Sequence, residues 1–344
     1  MHSGCYTLYQ PLDNSPPSIN TMRVAVAGGS GTIGASIITA LASSNKKHTS
    51  IILSRHNERN HKNTSTASES PATGVTLETR YVDYTSHDSL VSALCDVDAV
   101  ISALLIPGPE LVSYQVNLLH AAEEAGCTRF APSEFALRKS VHSEVDIDHA
   151  KLAVWDAVQE SVDKGRIDAA LFPCGVFMNY LGIGAPHSTE EALAGFREGP
   201  HLFHLSDPQG PWIEVPVGED CLLPSLSMTD IRDVGRFVVA ALEMEEPWGG
   251  WELSMAGDTI GFAELIELCE RYLGRPVDVR QVTVSQLERQ LQSVDPSDFL
   301  ARMEIQYSIV CGRGRSVVTP TLNALCPHVQ PLSVKEFMEK FWMV

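Results

Sequence analysis

Three glycines, Gly28-x-x-Gly31-x-x-Gly34, separate the apolar run Val24–Ala27 from a helical pattern carried by Ile33, Ile37, Ile38 and Leu41. Strand, glycine turn and helix in that order form an anion cradle, because the helix points unpaired N–H groups and its positive dipole end at whatever lies above the turn. Gly28 permits the turn, Gly31 lets the backbone approach a phosphate, and Gly34 lets the helix pack against the strand; Ser30, Thr32 and Ile33 fill the places between. The flanking strand and helix favour dinucleotide binding over a plain tight connection. The spacing departs from the G-x-G-x-x-G fingerprint. The turn has no Gly-Lys-Ser/Thr, which argues against an ATP-binding loop.

A second group follows the next strand, Ser50–Ser54. In a doubly wound fold this strand ends at the adenosine ribose, where an NAD enzyme usually places a carboxylate. Here Arg55 follows directly, with Arg59 and Lys62 as weaker helpers. A guanidinium can fork onto a 2′-phosphate, so the expected cofactor is NADPH; the alternative is a solvated loop charge.

A third group lies at the ends of later strands, where ligands of such sheets sit. Ala103 and Leu104 close the fourth strand, Val97–Leu105. Pro132, Ser133, Glu134 and Phe135 leave the fifth, Thr128–Ala131. Pro173, Gly175, Phe177, Met178 and Tyr180 leave the sixth, Ile167–Phe172. Phe177, Met178 and Tyr180 read equally as pocket wall or as core. Lys151 stands near the start of a helix carrying Leu152, Val154, Trp155 and Val158. A cation is unfavourable at that end of a helix, which hints at another purpose than a solvated surface charge.

The elements that position these groups alternate. A third strand is expected at Glu78–Val82, helices at Ser89–Leu94 and Leu111–Ala125, and the alternation from 23 to 175 argues a parallel sheet covered on both faces. The fold class is therefore α/β, a Rossmann-type doubly wound parallel sheet. After Tyr180 the pattern breaks into Gly- and Pro-rich stretches with a strand-like piece at Trp212–Val217. Helical readings follow from Ser227 (capped by Thr229 or Asp230), over Phe262–Leu273, Ser285–Leu291 and Val334–Trp342. The expected division is a flexible leader over 1–21, a dinucleotide domain over 22–182 and 228–248, and a smaller substrate-covering region over 183–227 and 249–344. Residues 60 to 73, rich in Ser, Thr, Asn and Ala, read as a mobile flap.

The 344 residues carry a net charge of −18, a field that disfavours nucleic acid and anionic membrane. The eight cysteines form no C-x-x-C and no zinc spacing, so no metal is expected; scattered thiols suit a reducing, cytoplasmic setting. No apolar run reaches membrane-spanning length, and the leader has no signal-peptide pattern.

The glycine turn, Arg55, the run Arg129-Phe130-Ala131-Pro132-Ser133-Glu134-Phe135, a lysine some twenty residues on and Thr229-Asp230-Ile231 together resemble the NmrA-like, isoflavone-reductase-like atypical short-chain dehydrogenases. The Pro-Ser-Glu-Phe run is the most specific piece, and the resemblance spans roughly residues 22 to 275. It implies NADPH, a small aromatic or phenolic secondary metabolite as substrate, and Lys151 as the general acid/base. It also implies contact of Pro132, Ser133, Lys151, Pro173 and Gly175 with cofactor, and of Glu134, Phe135, Phe177, Met178 and Tyr180 with substrate. No tyrosine has a lysine four residues later, so the machinery of typical short-chain dehydrogenases is missing. Ala136 stands where these reductases usually have glycine. Burial beside a cofactor is expected to lower the pKa of Lys151, and Ser133 and Glu134 to tune it or position the nicotinamide; His149 reads as structural. Two other readings are a non-catalytic dinucleotide sensor acting on a partner protein and a redox-neutral isomerase or cyclase. A monomer or a homodimer fits either way.

Overall fold

Val24, Ala25, Val26 and Ala27 are all fully buried, so the first strand must be covered on both faces, and the fold is built around that demand. The computed structural model describes residues 21–55, 66–69, 76–106, 108 and 110–343. The first half runs β1 (Arg23–Ala27), α1 (Thr32–Ser43), β2 (Thr49–Arg55), β3 (Thr66–Glu69), β4 (Thr76–Val82), α2 (His87–Leu94), β5 (Ala99–Ser102), α3 (Glu110–Ala125), β6 (Arg129–Ala131), α4 (His149–Asp163) and β7 (Asp168–Leu171). The second half runs β8 (Val176–Phe177), α5 (Thr189–Leu193), β9 (Phe203–His204), β10 (Trp212–Val217), β11 (Ser225–Thr229), α6 (Ile231–Leu242), β12 (Trp251–Glu252), β13 (Asp258–Gly261) and α7 (Phe262–Leu273). It closes with β14 (Asp278–Thr283), α8 (Val284–Ser293), α9 (Phe299–Gly312), α10 (Thr321–Leu325) and α11 (Val334–Trp342).

The main sheet has the order β12-β7-β6-β5-β1-β2-β4-β3. All its pairings are parallel except β3 on β4. The winding reverses between β1 and β5, which opens a crevice at their carboxyl ends. Side chains of β1 alternate as a strand requires. Val24 and Val26 join a core with Ile37 and Leu41 of α1 and Val234 and Phe237 of α6, whereas Ala25 and Ala27 join one with α2, α3 and α4.

A further core lies outside this sheet. It gathers Ile213 and Val215 of β10, Leu226 of β11, Phe262 of α7 and Phe337 and Phe341 of α11. Two three-stranded sheets frame it, β14-β10-β9 and β13-β11-β8.

Several places differ from the sequence reading. Ser227–Thr229 belongs to β11 rather than to a helix start, and Asp230 alone caps α6, accepting from Arg232 N at 2.8 Å. Helix α9 was not expected at all. Part of the stretch read as a flap, residues 66–69, pairs antiparallel with β4; 60–65 and 70–73 lie outside the described residues, as does the leader through residue 20. Past residue 249 the chain still serves the main sheet, because β12 pairs with β7 and Leu322, Cys326 and Val329 pack in its core.

Candidate active site

The glycine turn sits in the crevice between β1 and β5. Gly28 has a φ of 78°, and its carbonyl accepts from Gly31 N at 2.9 Å, closing the turn. A Cβ on Gly28 would come within 2.6 Å of the Ala103 carbonyl oxygen, and one on Gly34 within 2.3 Å of the Gly28 oxygen. Helix α1 begins behind Gly31 with no side-chain cap and no acidic residue in its first turn. Its leading N–H groups are thus left for an outside acceptor, and Ser30 and Gly31 are exposed. These features fit a pyrophosphate. Thr32 is the one first-turn side chain tied elsewhere in that turn's hydrogen bonds: its hydroxyl donates to Gly195 O at 2.9 Å, so the chain after α5 leans on the turn. Ile33 is half-buried against the core.

Ala103 and Leu104 follow β5 as half-buried residues, Ala103 N donating to Ala27 O at 2.8 Å. Arg55 ends β2 and is exposed, as a 2′-phosphate contact would need. Arg59 and Lys62 lie outside the described residues. Two buried polar atoms near these strand ends have no hydrogen-bond partner among the described residues, Ser102 Oγ and Gln115 Nε2. Gln115 Oε1 accepts from Ser133 N at 2.7 Å and so holds the loop that leaves β6.

The loops after β6 and β7 are pinned together: Ala136 O accepts from Cys174 N at 2.9 Å and Gly175 N at 3.0 Å. Gly175, at φ 71°, passes so close to Ser227 that a Cβ would lie 2.3 Å from its oxygen. Pro132 and Pro173 are buried in these loops.

Lys151 stands in the first turn of α4, against these loops. Its Nζ is 2.7 Å from Asp148 Oδ1 and 3.9 Å from Glu134 Oε2. Glu134 is 3% exposed and lies 3.3 Å from His142 Nε2. The Tyr307 hydroxyl, from α9, donates to Asp148 Oδ2 at 2.9 Å. Burial raises the pKa of Glu134 to about 8, with Lys151 opposing, and burial lowers that of His142 to about 4, Lys151 adding to the effect. For Lys151 itself burial disfavours the ammonium, but Asp148 and Glu134 outweigh it and the pKa is raised. This corrects the expected lowering. Two carboxyl groups share the pocket, so the lysine keeps its proton near neutral pH.

Phe177 and Tyr180 are brought together through Phe196, whose ring is 6.1 Å from the first and 4.6 Å from the second. The Tyr180 hydroxyl donates to Glu198. Met178 is fully buried in the outer core, and Phe135 stacks on Phe172 at 6.2 Å; both pack as core residues. Among the described residues, a ring nitrogen of His149 bonds Ser143 O at 2.9 Å. Among the described residues there is no group of side chains able to hold a metal, and no helix long and apolar enough to cross a membrane.

With this geometry in place, the family model described as the NmrA-like family matches residues 20–313. The chain belongs to the NmrA-like family. Among its relatives, Oxidoreductase BOA1 of Botryotinia fuckeliana is 31% identical over 74% of this chain and 76% of its own. Oxidoreductase swnN of Metarhizium robertsii is 25% identical over 93% and 97%. Among solved structures, AtPrR2 with NADP+ and (+)pinoresinol superposes with a TM-score of 0.69 at 18% identity, covering 94% of this chain and 99% of that one. In this NmrA-like protein, sequence reasoning missed Asp148, His142, Gln115 and Tyr307. Asp148 had a signal, its i, i+3 spacing from Lys151 on one helical face. The other three had none within their own stretch of chain.

Proposed function

We propose that this chain reduces a small, aromatic or phenolic molecule, with Lys151 as the proton donor. It is an NADPH-dependent oxidoreductase of the NmrA-like family. The observation that carries the reading is the Lys151 ammonium, held by Asp148 at the carboxyl end of the sheet that also forms the glycine turn.

NADPH, when bound, supplies a hydride. Gly28, Ser30, Gly31, Thr32, Ile33 and Gly34 would hold its pyrophosphate, Arg55 its 2′-phosphate, and Ala103, Leu104, Pro132, Ser133, Pro173 and Gly175 the rest of the molecule along the strand ends. Lys151 then meets the negative charge that develops on the substrate. Its raised pKa suits a donor, not a base that first strips a phenol. Asp148, the nearer of the two carboxyl groups, is the main counter-charge that keeps the ammonium in place, with Glu134 adding to it. Phe177 and Tyr180, with Phe196 between them, offer ring faces and edges for an aromatic substrate. The solved structure of AtPrR2 holds NADP+ together with (+)pinoresinol, which supports a small organic molecule as the substrate beside the cofactor.

The test is loss of NADPH absorbance with a panel of phenolic and aromatic acceptors, wild type against Lys151→Ala. Turnover in the wild type alone supports the reading. Cofactor binding with no turnover on the whole panel would favour a dinucleotide sensor, and equal turnover by both proteins would remove Lys151 from the chemistry.

A further inference from the structure

The Asp148 carboxylate faces two donors at once. Lys151 Nζ sits at Oδ1, 2.7 Å away, and the Tyr307 hydroxyl donates to Oδ2 at 2.9 Å. Asp148 is 1% exposed, so no bulk water replaces either partner. Its place is set by the backbone, since Asp148 N donates to Val145 O at 2.9 Å immediately before α4. Tyr307 comes from α9, whose neighbours Val310 and Met303 pack on Val141 and Val145 of the segment that carries Asp148. A side chain 156 residues from the lysine thus shares the lysine's counter-charge.

We propose that Tyr307 is a positioning residue for the reaction: by donating to the far oxygen of Asp148 it loosens the hold of that carboxylate on the Lys151 ammonium. The inference rests on the reading of Lys151 as proton donor. The physical reason is that a hydrogen bond to a carboxylate draws charge toward the donor and leaves less for the opposite partner. A proton that must leave Lys151 during turnover leaves more readily with Tyr307 present. The other groups facing this cluster are Glu134 and His142 from the loop before α4, Cys174 from the loop after β7, and, one step farther out, Lys139 and Glu252 around Glu134. Tyr180 and Glu134 also face Tyr307 through space, but among the described residues its hydroxyl donates to Asp148.

The test needs no substrate. The full chain is treated with a trace of acetic anhydride at mildly alkaline pH, and acetylation of each lysine is read by mass spectrometry, with exposed Lys164 as internal reference. The rate follows the unprotonated fraction, so half a unit in proton affinity changes it by about threefold. In Tyr307→Phe, acetylation of Lys151 relative to Lys164 is expected to fall by about threefold. In Asp148→Asn, which removes the counter-charge, it is expected to rise by about tenfold or more. Far-UV circular dichroism and thermal unfolding of both variants serve as the check on folding. A merely structural tyrosine would loosen the pocket and raise acetylation in both variants, and an unchanged or increased rate in Tyr307→Phe overturns the proposal. That failure would leave the role of Lys151 standing, because Lys151 is tested separately by turnover in Lys151→Ala.

Discussion

The glycine turn and the Lys151 cluster lie at the same edge of the sheet and are built in opposite ways. The turn is a backbone device. Gly28 to Gly34 are contiguous, and their task is to keep side-chain atoms away from the Gly28 and Ala103 oxygens and leave N–H groups free. The lysine cluster is a side-chain device assembled from the loop after β6, the segment before α4, α4 itself and α9. The first is tuned by shape and the second by charge, so substitutions at the two should separate binding from chemistry.

Lys151→Ala is the sharpest cut and carries the largest expected effect. Turnover should fall by about 10²- to 10⁴-fold, the usual worth of a positioned acid, well beyond any loss of affinity for NADPH. A parallel loss of NADPH affinity, measured by titration, would merge the two regions and break the comparison.

Gly34→Val is the mirror experiment. The added Cβ would lie 2.3 Å from Gly28 O, so the turn must shift. Overpacking of this kind costs about 1–3 kcal/mol, and a comparable loss on the cofactor side would raise the Kd for NADPH by about ten- to hundredfold. Thermal unfolding and cofactor titration read the two parts separately.

Arg55→Asp sharpens the assignment of the phosphate end. Affinity for NADPH should drop by about tenfold more than affinity for NADH, through lost pairing with the 2′-phosphate. Equal loss for both cofactors would show that Arg55 acts elsewhere.

The smallest effect concerns Glu134, whose pKa is raised in the folded chain to about 8. A carboxyl group raised above its unfolded value binds a proton more tightly when folded, so its contribution to stability is present at low pH. It is lost as pH climbs from the unfolded value toward 8. His142, lowered to about 4, works the other way, but only below its unfolded value. Between about pH 6.5 and 8 the Glu134 contribution therefore stands alone of the two. Urea unfolding should show wild type losing on the order of 1 kcal/mol more than Glu134→Gln over that interval. An identical slope for both proteins would mean that Glu134 is already ionised in the folded state.

How much of this was legible in the sequence follows the same division. The parallel sheet, its helices and the glycine turn rest on local pattern, and α1, β2, α3 and β7 appear where the apolar spacing places them. Lys151 was found by resemblance, but its electrostatic state was not. Burial alone predicts a lowered pKa, and only the fold shows Asp148 and Glu134 both within reach. Tyr307 was beyond reading because α9 itself was. Ile305, Gln306, Ser308, Ile309, Val310 and Cys311 are all buried, so the helix is enclosed on most sides and shows no apolar stripe. Ser227–Thr229 was misread for a related reason. A short buried strand running directly into a capped helix presents the cap, Asp230, before its own alternation can be seen.

The i, i+3 spacing of Asp148 and Lys151 has a mechanical consequence. Asp148 is the N-cap of α4 and Lys151 stands in its first turn, so a small tilt or slide of the helix start moves both ends of the bond together. Glu134 and Tyr307, which come from other elements, are not tied to that motion in the same way.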